Sequence, residues 1–179
     1  MFINQKITNF LFFLICFSIF STISQATEDV PFNNIAINED PKPISAIIFE
    51  DFSGNKIQLK DHLGKLVILN FWATWCAPCK EEMPSLDKLY MTNSFKNLKI
   101  FAVNMEPPNH EKTEKFFSDL QIKKLKIFFD PNSNFVKEFK LRGVPTTVLI
   151  NEKGEEFARI ICIIDFENKK FLDWLFKYD

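Results

Sequence analysis

Short apolar runs of strand length alternate with segments of helical periodicity along most of the chain. The longest strand-like run covers residues 66–72 and includes one polar residue, Asn70, which predicts a central strand covered on both faces. Apolar residues then recur at helical spacing, so a helix is expected to start at Cys76. Further strands are expected at 98–103, 126–129, 146–150 and 157–164, with helices near 111–120, around 135–139 and from about 168. This order predicts an α/β fold with a central mixed sheet flanked by helices.

Two different segments precede the central strand. Apolar positions on either side of the turn Ser53-Gly54-Asn55 predict a β-hairpin that extends the domain at its amino-terminal side. Residues 27–45 contain three prolines and no sustained strand or helix period, which favours a flexible linker. The sequence therefore predicts one folded domain over residues 46–179.

The amino terminus has the layout of a secretory signal. A single charge, Lys6, precedes an apolar run over residues 10–20, and the stretch ends in Ala26 with a second small residue two positions earlier. The run is too short to span a bilayer as a helix, so residues 1–26 are expected to be a signal peptide. The alternative is an uncleaved anchor, in which residues 7–26 tether the protein to the membrane. Both interpretations predict a protein that is exported from the cytoplasm.

Composition excludes several classes of protein. The 179 residues are 46% hydrophobic and include 22 phenylalanines, which is enough for a substantial core and excludes a disordered or collagen-like chain. The 22 Lys and Arg residues face 23 Asp and Glu residues, for a formal net charge of -1. Nucleic-acid binding requires clustered cations, so no nucleic-acid partner is expected.

The candidate chemistry lies in Cys76-Ala77-Pro78-Cys79, at the junction of the central strand and the helix. Across one helical turn two Cα atoms are about 5 to 6 Å apart, which is a separation that a disulfide allows. The free N–H groups and the dipole at a helix amino terminus lower the pKa of a thiol and stabilise its thiolate. We therefore predict that Cys76 is the catalytic nucleophile and that Cys79 resolves the mixed disulfide.

Three other interpretations of the cysteine pair compete with this one. A zinc site needs four ligands, and His62 and His110 are distant in sequence, so no metal site is predicted. A purely structural disulfide would close too short a loop to stabilise the fold by much. Two buried free thiols are unexpected in an oxidising compartment. The pattern favours a redox-active disulfide between Cys76 and Cys79.

The residues around the pair resemble the thioredoxin superfamily. The resemblance is carried by Phe71-Trp72-Ala73-Thr74-Trp75-Cys76-Ala77-Pro78-Cys79, by Pro84 and by Gly143-Val144-Pro145-Thr146; more narrowly, residues 46–179 resemble TlpA-like periplasmic thioredoxins. It implies a cis peptide bond between Val144 and Pro145 and a Val144 backbone that pairs with an extended partner segment. It also implies an exposed Trp75, so Trp75, Val144 and Pro145 are predicted to bind the substrate.

The same resemblance implies a function. The protein is expected to be an exported, monomeric thiol-disulfide oxidoreductase that needs no cofactor. Its expected partners are disulfide-bearing or dithiol protein clients, in cytochrome c or copper-site maturation, and a membrane thiol-electron donor. Whether it reduces or oxidises its clients does not follow from the residues.

Two alternative functions use the same pair. A copper-binding chaperone of thioredoxin fold would use Cys76 and Cys79 as soft ligands. A thiol peroxidase is disfavoured, because Ala73 occupies the position where a peroxide-binding threonine would lie.

Three further residues complete the expectations for the site. Asn70 replaces a buried acid that many thioredoxins carry in the strand before the active site, which leaves the proton acceptor for Cys79 open. Glu82 could face Cys79, but a solvated side chain in the first part of the helix is the favoured interpretation. Cys162 lies in an apolar run and is expected to be a buried, inert thiol.

Overall fold

The computed structural model describes residues 30–179 except residues 42, 45 and 93, so the expected signal or anchor lies outside the described residues. The strands are β1 (Ile35–Ile37), β2 (Ile48–Asp51), β3 (Lys56–Gln58), β4 (Leu66–Trp72), β5 (Leu98–Asn104), β6 (Ile127–Phe129), β7 (Thr146–Ile150) and β8 (Glu156–Ile161). The helices are α1 (Ala77–Met91), α2 (His110–Asp119), α3 (Asn134–Phe139) and α4 (Lys169–Leu175), with 3-10 turns at Leu59–His62 and Phe176–Tyr178. In the part of the chain that the structure describes, no helix combines the length and the apolar character needed to cross a membrane.

The described strands form one 8-stranded sheet in the order β1-β8-β7-β4-β5-β6-β2-β3. The central strand β4 pairs in parallel with β5 and antiparallel with β7. Strand β6 continues the parallel part, and the hairpin joins it antiparallel through β2. The predicted mixed sheet with an amino-terminal hairpin is confirmed.

The prediction of a flexible linker over residues 27–45 is wrong for residues 35–37. Ile35–Ile37 form β1, which pairs antiparallel with β8 and closes that edge of the sheet. The Asn34 side chain adds a hydrogen bond to the Ile161 carbonyl at 3.2 Å. A strand of three residues is too short to show an alternation in the sequence, so its partner strand decides its conformation.

Two apolar cores lie on opposite faces of the sheet, because successive side chains of β4 alternate between those faces. On the first face, Ile68 and Trp72 pack beneath α1, α2 and α4. On the second, Leu69 and Phe71 pack beneath α3 and the hairpin. We call these layers the α1 face and the α3 face. Every residue of β4 is buried, as expected for a central strand.

One end of the sheet collects the residues of interest. The carboxyl end of β4 leads into the loop 73–76, and the amino end of β7 follows the loop 143–145. Phe71 of β4 pairs with Thr146 of β7, so both loops lie at this end. The sheet therefore brings the cysteine pair and the proline loop together.

Candidate functional site

Cys76 and Cys79 form a disulfide at the amino end of α1. Their Cα atoms are 5.3 Å apart, within the range predicted from the sequence. Cys76 is the N-cap residue of the helix, and Cys79 lies in its first turn. Both sulfurs are thus attached to one short, regular piece of backbone, on which the bond can open and close.

The helix end favours negative charge on Cys76. Its Sγ accepts a hydrogen bond from the Cys79 N–H at 3.2 Å, as N-cap side chains do. In the reduced protein, this donor and the helix dipole stabilise the thiolate relative to the thiol. Cys76 is 3% exposed and Cys79 0%, so Cys76 is the more accessible of the two buried residues.

A carboxylate that the sequence analysis did not identify holds the loop before Cys76. Glu106 accepts hydrogen bonds from the Thr74 N–H at 2.6 Å and from the Thr74 hydroxyl at 3.1 Å. It also pairs with Lys112 of α2 at 2.6 Å. Partial burial alone would raise the pKa of Glu106, but the hydrogen bonds from Lys112 and Thr74 outweigh burial and lower that pKa. Because Thr74 and Glu106 are 32 residues apart, no local pattern could have revealed the contact.

Glu82 is buried, so the expectation of a solvated side chain is wrong. It is 1% exposed and lies one helical turn after Cys79. Its Oε1 accepts a hydrogen bond from the Asn70 amide at 2.8 Å, and its Oε2 accepts one from the Ile164 N–H at 3.3 Å. The signal was present in the sequence, because the helical spacing of Cys79, Glu82 and Leu86 places all three on one face.

Asn70 connects three elements of the α1 face. Its Nδ2 donates to Glu82 of α1 at 2.8 Å and to the Thr147 hydroxyl of β7 at 3.0 Å. Its Oδ1 has no hydrogen-bond partner among the described residues. Many thioredoxins carry a buried acid at the position of Asn70. In this protein the buried carboxyl group in that layer belongs to Glu82 of α1 instead.

The surroundings of Glu82 make it a weak acid. Burial raises the pKa of Glu82 to about 7, although the hydrogen bonds from Asn70 and Ile164 act in the opposite direction. A carboxyl group with this pKa can take up or release a proton near neutral pH. The site thus combines a pair of sulfurs with a buried acid–base group on the same helix.

The peptide bond between Val144 and Pro145 is cis, as the resemblance implied. Two hydrogen bonds hold this loop: the Thr146 hydroxyl donates to the Gly143 carbonyl at 2.8 Å, and the Cys162 N–H donates to the Pro145 carbonyl at 3.1 Å. Val144 is half-buried and packs against both cores. The loop is therefore tied to the end of the sheet that carries the cysteines.

Two exposed side chains border this end of the sheet. Trp75 is 69% exposed, as the resemblance implied. Cys162 is also exposed, which corrects the expectation of a buried thiol. Strand β8 ends at Ile161, and Cys162 has a left-handed backbone with a φ of 72°. In a continued strand, alternation of side chains between the two faces would have buried Cys162, but the left-handed backbone ends that alternation.

Proteins of known sequence are similar to this chain. The AhpC/TSA family model matches residues 42–155. The thiol-disulfide oxidoreductase ResA of Halalkalibacterium halodurans is 41% identical over 108 residues, which make up 60% of this chain and 60% of that protein. The thioredoxin-like protein YneN of Bacillus subtilis is 39% identical over 103 residues, 57% of this chain and 59% of that protein. The matched region spans about 60% of the length of these relatives.

Solved structures share the fold. A protein described as the thiol:disulfide interchange protein DsbE from Chlorobium tepidum superposes with a TM-score of 0.67 at 21% identity, over 80% of this chain and 99% of that one. StoA from Bacillus subtilis superposes with a TM-score of 0.61 at 27% identity, over 73% of this chain and 96% of that one. The thioredoxin fold expected from the motifs is confirmed. Since its family model covers well over half of the sequence, the chain belongs to the AhpC/TSA family.

Proposed function

We propose that the protein is a thiol-disulfide oxidoreductase that works through Cys76 and Cys79. The observation that carries this proposal is the disulfide at the amino end of α1, with the buried acid Glu82 one turn further along the helix. Relatives named thiol-disulfide oxidoreductase support the same activity. The exchange itself needs only the sulfurs of two partners and protons.

In the reducing direction, the reaction begins with the Cys76 thiolate. It attacks one sulfur of a client disulfide, the client S–S bond breaks, and the released client thiolate takes a proton from water. The two proteins are then joined by a mixed disulfide. The N–H of Cys79 and the helix dipole stabilise the thiolate that starts this step.

The second step assigns a role to Glu82. Cys79 must lose its proton before it attacks Cys76, and Glu82, three residues further along α1, is the buried carboxyl group nearest to it along the helix. Because burial raises the pKa of Glu82 to about 7, its carboxylate form accepts a proton near neutral pH. The Cys79 thiolate then displaces the second client sulfur, which leaves the client reduced by two electrons and restores the Cys76–Cys79 disulfide.

The cis-proline loop is the edge at which a client docks. Among the described residues, none forms a hydrogen bond with the backbone of Val144. An extended client segment can pair with this free backbone in the manner of an added strand. Trp75 precedes Cys76 and offers an exposed aromatic surface to the same client.

The activity belongs outside the cytoplasm, as reduction of protein clients in cytochrome c or copper-site maturation. The support is the signal-like amino-terminal sequence and the resemblance to TlpA-like periplasmic thioredoxins. Since dithiols outside the cytosol become oxidised, a reductase there requires an electron donor, for which a membrane thiol donor is suited.

A Cys79→Ala variant tests the proposal directly. Without the resolving sulfur, the variant mixed with a disulfide-bearing protein such as insulin should stall as a covalent adduct, because Cys76 attacks and nothing releases it. Mass spectrometry detects the adduct, and dithiothreitol should remove it. The unmodified protein should accelerate insulin reduction with dithiothreitol as the electron source.

The matched control is Cys76→Ala, which should form no adduct. If the Cys79→Ala variant also forms none and the unmodified protein does not accelerate insulin reduction, the proposal is wrong. Stoichiometric Cu(I) binding without reductase activity would instead favour a copper chaperone, and consumption of peroxide would favour a peroxidase.

A further inference from the structure

A groove runs beside the cis-proline loop and along the turn that follows α3. It encloses about 970 Å³. Val144, Ile161 and Cys162 line the part beside the loop, and Lys140 and Arg142 line the part beside the end of α3. Ile161 is 51% exposed, so the first part offers an apolar surface to a client, whereas the second is cationic.

Lys140 and Arg142 form no salt bridge within the part of the chain that the structure describes. Both side chains are exposed. Arg159, the third cation of the groove, differs from them. Its guanidinium donates to Glu156 at 2.7 and 2.9 Å and to the Phe139 carbonyl at 2.7 Å. Of the three cations in the described lining of the groove, Lys140 and Arg142 are therefore the two whose charge is available for a partner.

A second cavity, of about 280 Å³, lies beside Trp75. Most of its cations, unlike Lys140 and Arg142, have a carboxylate partner. Two of the three lysines that line it are paired with carboxylates: Lys112 with Glu106 at 2.6 Å and Lys115 with Asp119 at 2.9 Å. Two cations without a salt bridge thus line the groove of the cis-proline loop, whereas one, Lys80, lines the described part of the cavity beside Trp75.

The favourable interaction of a cation with the carboxyl end of a helix explains only one of the two positive charges. Lys140 is the C-cap residue of α3, with a φ of 48°, and a cation at that position is favoured by the helix dipole. Arg142 lies beyond the helix, so the dipole gives no reason for its charge. Arg142 is consequently the more informative of the two residues.

We propose that this groove selects client segments that are apolar beside the reacting cysteine and carry Asp or Glu a few residues away, an inference that rests on the proposed function. Glu138 is the one acidic residue of the described lining, and the two cations that have no salt bridge, Lys140 and Arg142, outnumber it. A segment paired with Val144 advances about 3.3 Å per residue, so an acid about two to four residues from the pairing position reaches Lys140 and Arg142. The acid gains a charge-assisted contact, and the field of the two cations steers its approach.

The experiment uses the full chain, reduced and freed of reductant, with three peptides that carry one cysteine as a mixed disulfide with thionitrobenzoate. The peptides share an apolar segment around the cysteine and differ only at the flanking positions, which hold Asp, Asn or Lys. Every protein in the experiment also carries Cys162→Ser, because the exposed Cys162 thiol of the groove would itself displace thionitrobenzoate. Release of thionitrobenzoate then reports reduction of the peptides by the Cys76–Cys79 pair. At low ionic strength the Asp peptide should react about three- to tenfold faster than the Asn peptide, and the Lys peptide should be the slowest. Salt at about 0.5 M should remove most of this difference.

A charge-reversed variant, Lys140→Glu/Arg142→Glu, should lose the preference for Asp and favour the Lys peptide. The matched control, Lys123→Glu/Lys124→Glu, makes the same change in charge ahead of β6, towards the opposite end of the sheet, and should keep the preference.

The outcomes separate the two proposals. If the Cys162→Ser protein without further changes reduces none of the peptides, the proposed function is wrong. If it reduces all three at equal rates, if the preference survives in the Lys140→Glu/Arg142→Glu variant, or if the control variant also loses it, the groove inference is overturned while the function stands.

Discussion

The two faces of the sheet bury different kinds of side chains. On the α3 face, six of the 13 buried core residues are phenylalanines, and the ring of Phe135 has its centroid 5.1 Å from that of Phe49 and 5.3 Å from that of Phe71. On the α1 face, Asn70 at 0% exposure and Glu82 at 1% lie in the same layer as the disulfide. A buried carboxyl group costs stability that an apolar side chain would not cost. The α1 face, which also holds the larger apolar core, therefore gives up part of its stability for chemistry, whereas neither cysteine belongs to the core of the α3 face.

The largest expected effect is the loss of exchange activity in Cys76→Ser. A hydroxyl group is a far weaker nucleophile than a thiolate at neutral pH, so the rate of insulin reduction should fall at least about a thousandfold. The matched control is Cys162→Ser, which should react at the parental rate. Parental activity in Cys76→Ser would show that the chemistry is not on the α1 face.

Phe135→Ala tests the α3 face. Removing this ring from its contacts with Phe49 and Phe71 should lower the free energy of unfolding by about 3 to 5 kcal/mol. Urea unfolding measures the loss, and Phe135→Leu should lose only about 1 kcal/mol. The exchange rate of the folded fraction should not change; a large change would mean that the two faces do not have separate roles.

Glu82 should make the stability of the protein depend on pH. Burial raises the pKa of Glu82 from 4.5 to about 7, so between these values the folded protein binds the proton and the unfolded chain releases it. The contribution of this group is therefore fully present below about pH 4.5 and is lost as the pH rises to about 7, with a total of about 3 kcal/mol. Urea unfolding of the oxidised protein at several pH values measures this loss.

Glu82→Gln removes that titration. Relative to the parent, the variant should gain about 3 kcal/mol of unfolding free energy between about pH 4 and pH 8. It should also resolve the mixed disulfide about a hundredfold more slowly and lose the rise in rate around pH 7, because no carboxylate accepts the Cys79 proton. Parallel stability curves for variant and parent would contradict the burial of an ionisable Glu82.

Asn70→Leu should have a smaller effect on the same group. The Asn70 amide lowers the pKa of Glu82 by donating a hydrogen bond to it, so its removal should move the midpoint of the pH–rate profile to higher pH. The displacement should correspond to the loss of a hydrogen bond worth about 1 to 2 kcal/mol. Thr147→Val removes the other partner of the Asn70 amide without touching Glu82 and should shift the midpoint less. An unchanged midpoint in Asn70→Leu would show that the amide does not tune the acid.

The smallest effect is expected at Cys162, at the rim of both faces. Because its side chain is exposed, Cys162→Ser should change the free energy of unfolding by less than about 0.5 kcal/mol. The folded, oxidised protein should react with a maleimide at Cys162, as peptide mass analysis can show. Labelling that requires denaturant would restore the interpretation of a buried thiol.

Features that depend on a few neighbouring residues could be predicted from the sequence. A central strand needs a nearly unbroken apolar run such as residues 66–72, and a disulfide across one helical turn needs only the spacing of Cys76 and Cys79. The errors concern residues whose environment comes from distant parts of the chain. β1 exists because β8 is available to pair with it, and Cys162 is exposed because β8 ends one residue earlier.

The sequence by itself determined the strand, the helix and the pair of sulfurs at their junction. Helical spacing places Glu82 on the face of Cys79, but only the tertiary structure decided which polar groups surround that acid, since Asn70 and Thr147, which share a hydrogen bond in that layer, are 77 residues apart. The physical reason is that the free energy of a buried carboxyl group depends on the solvent it loses and on the donors that replace it. Both the loss of solvent and the replacement donors depend on how β4, α1 and β7 pack together.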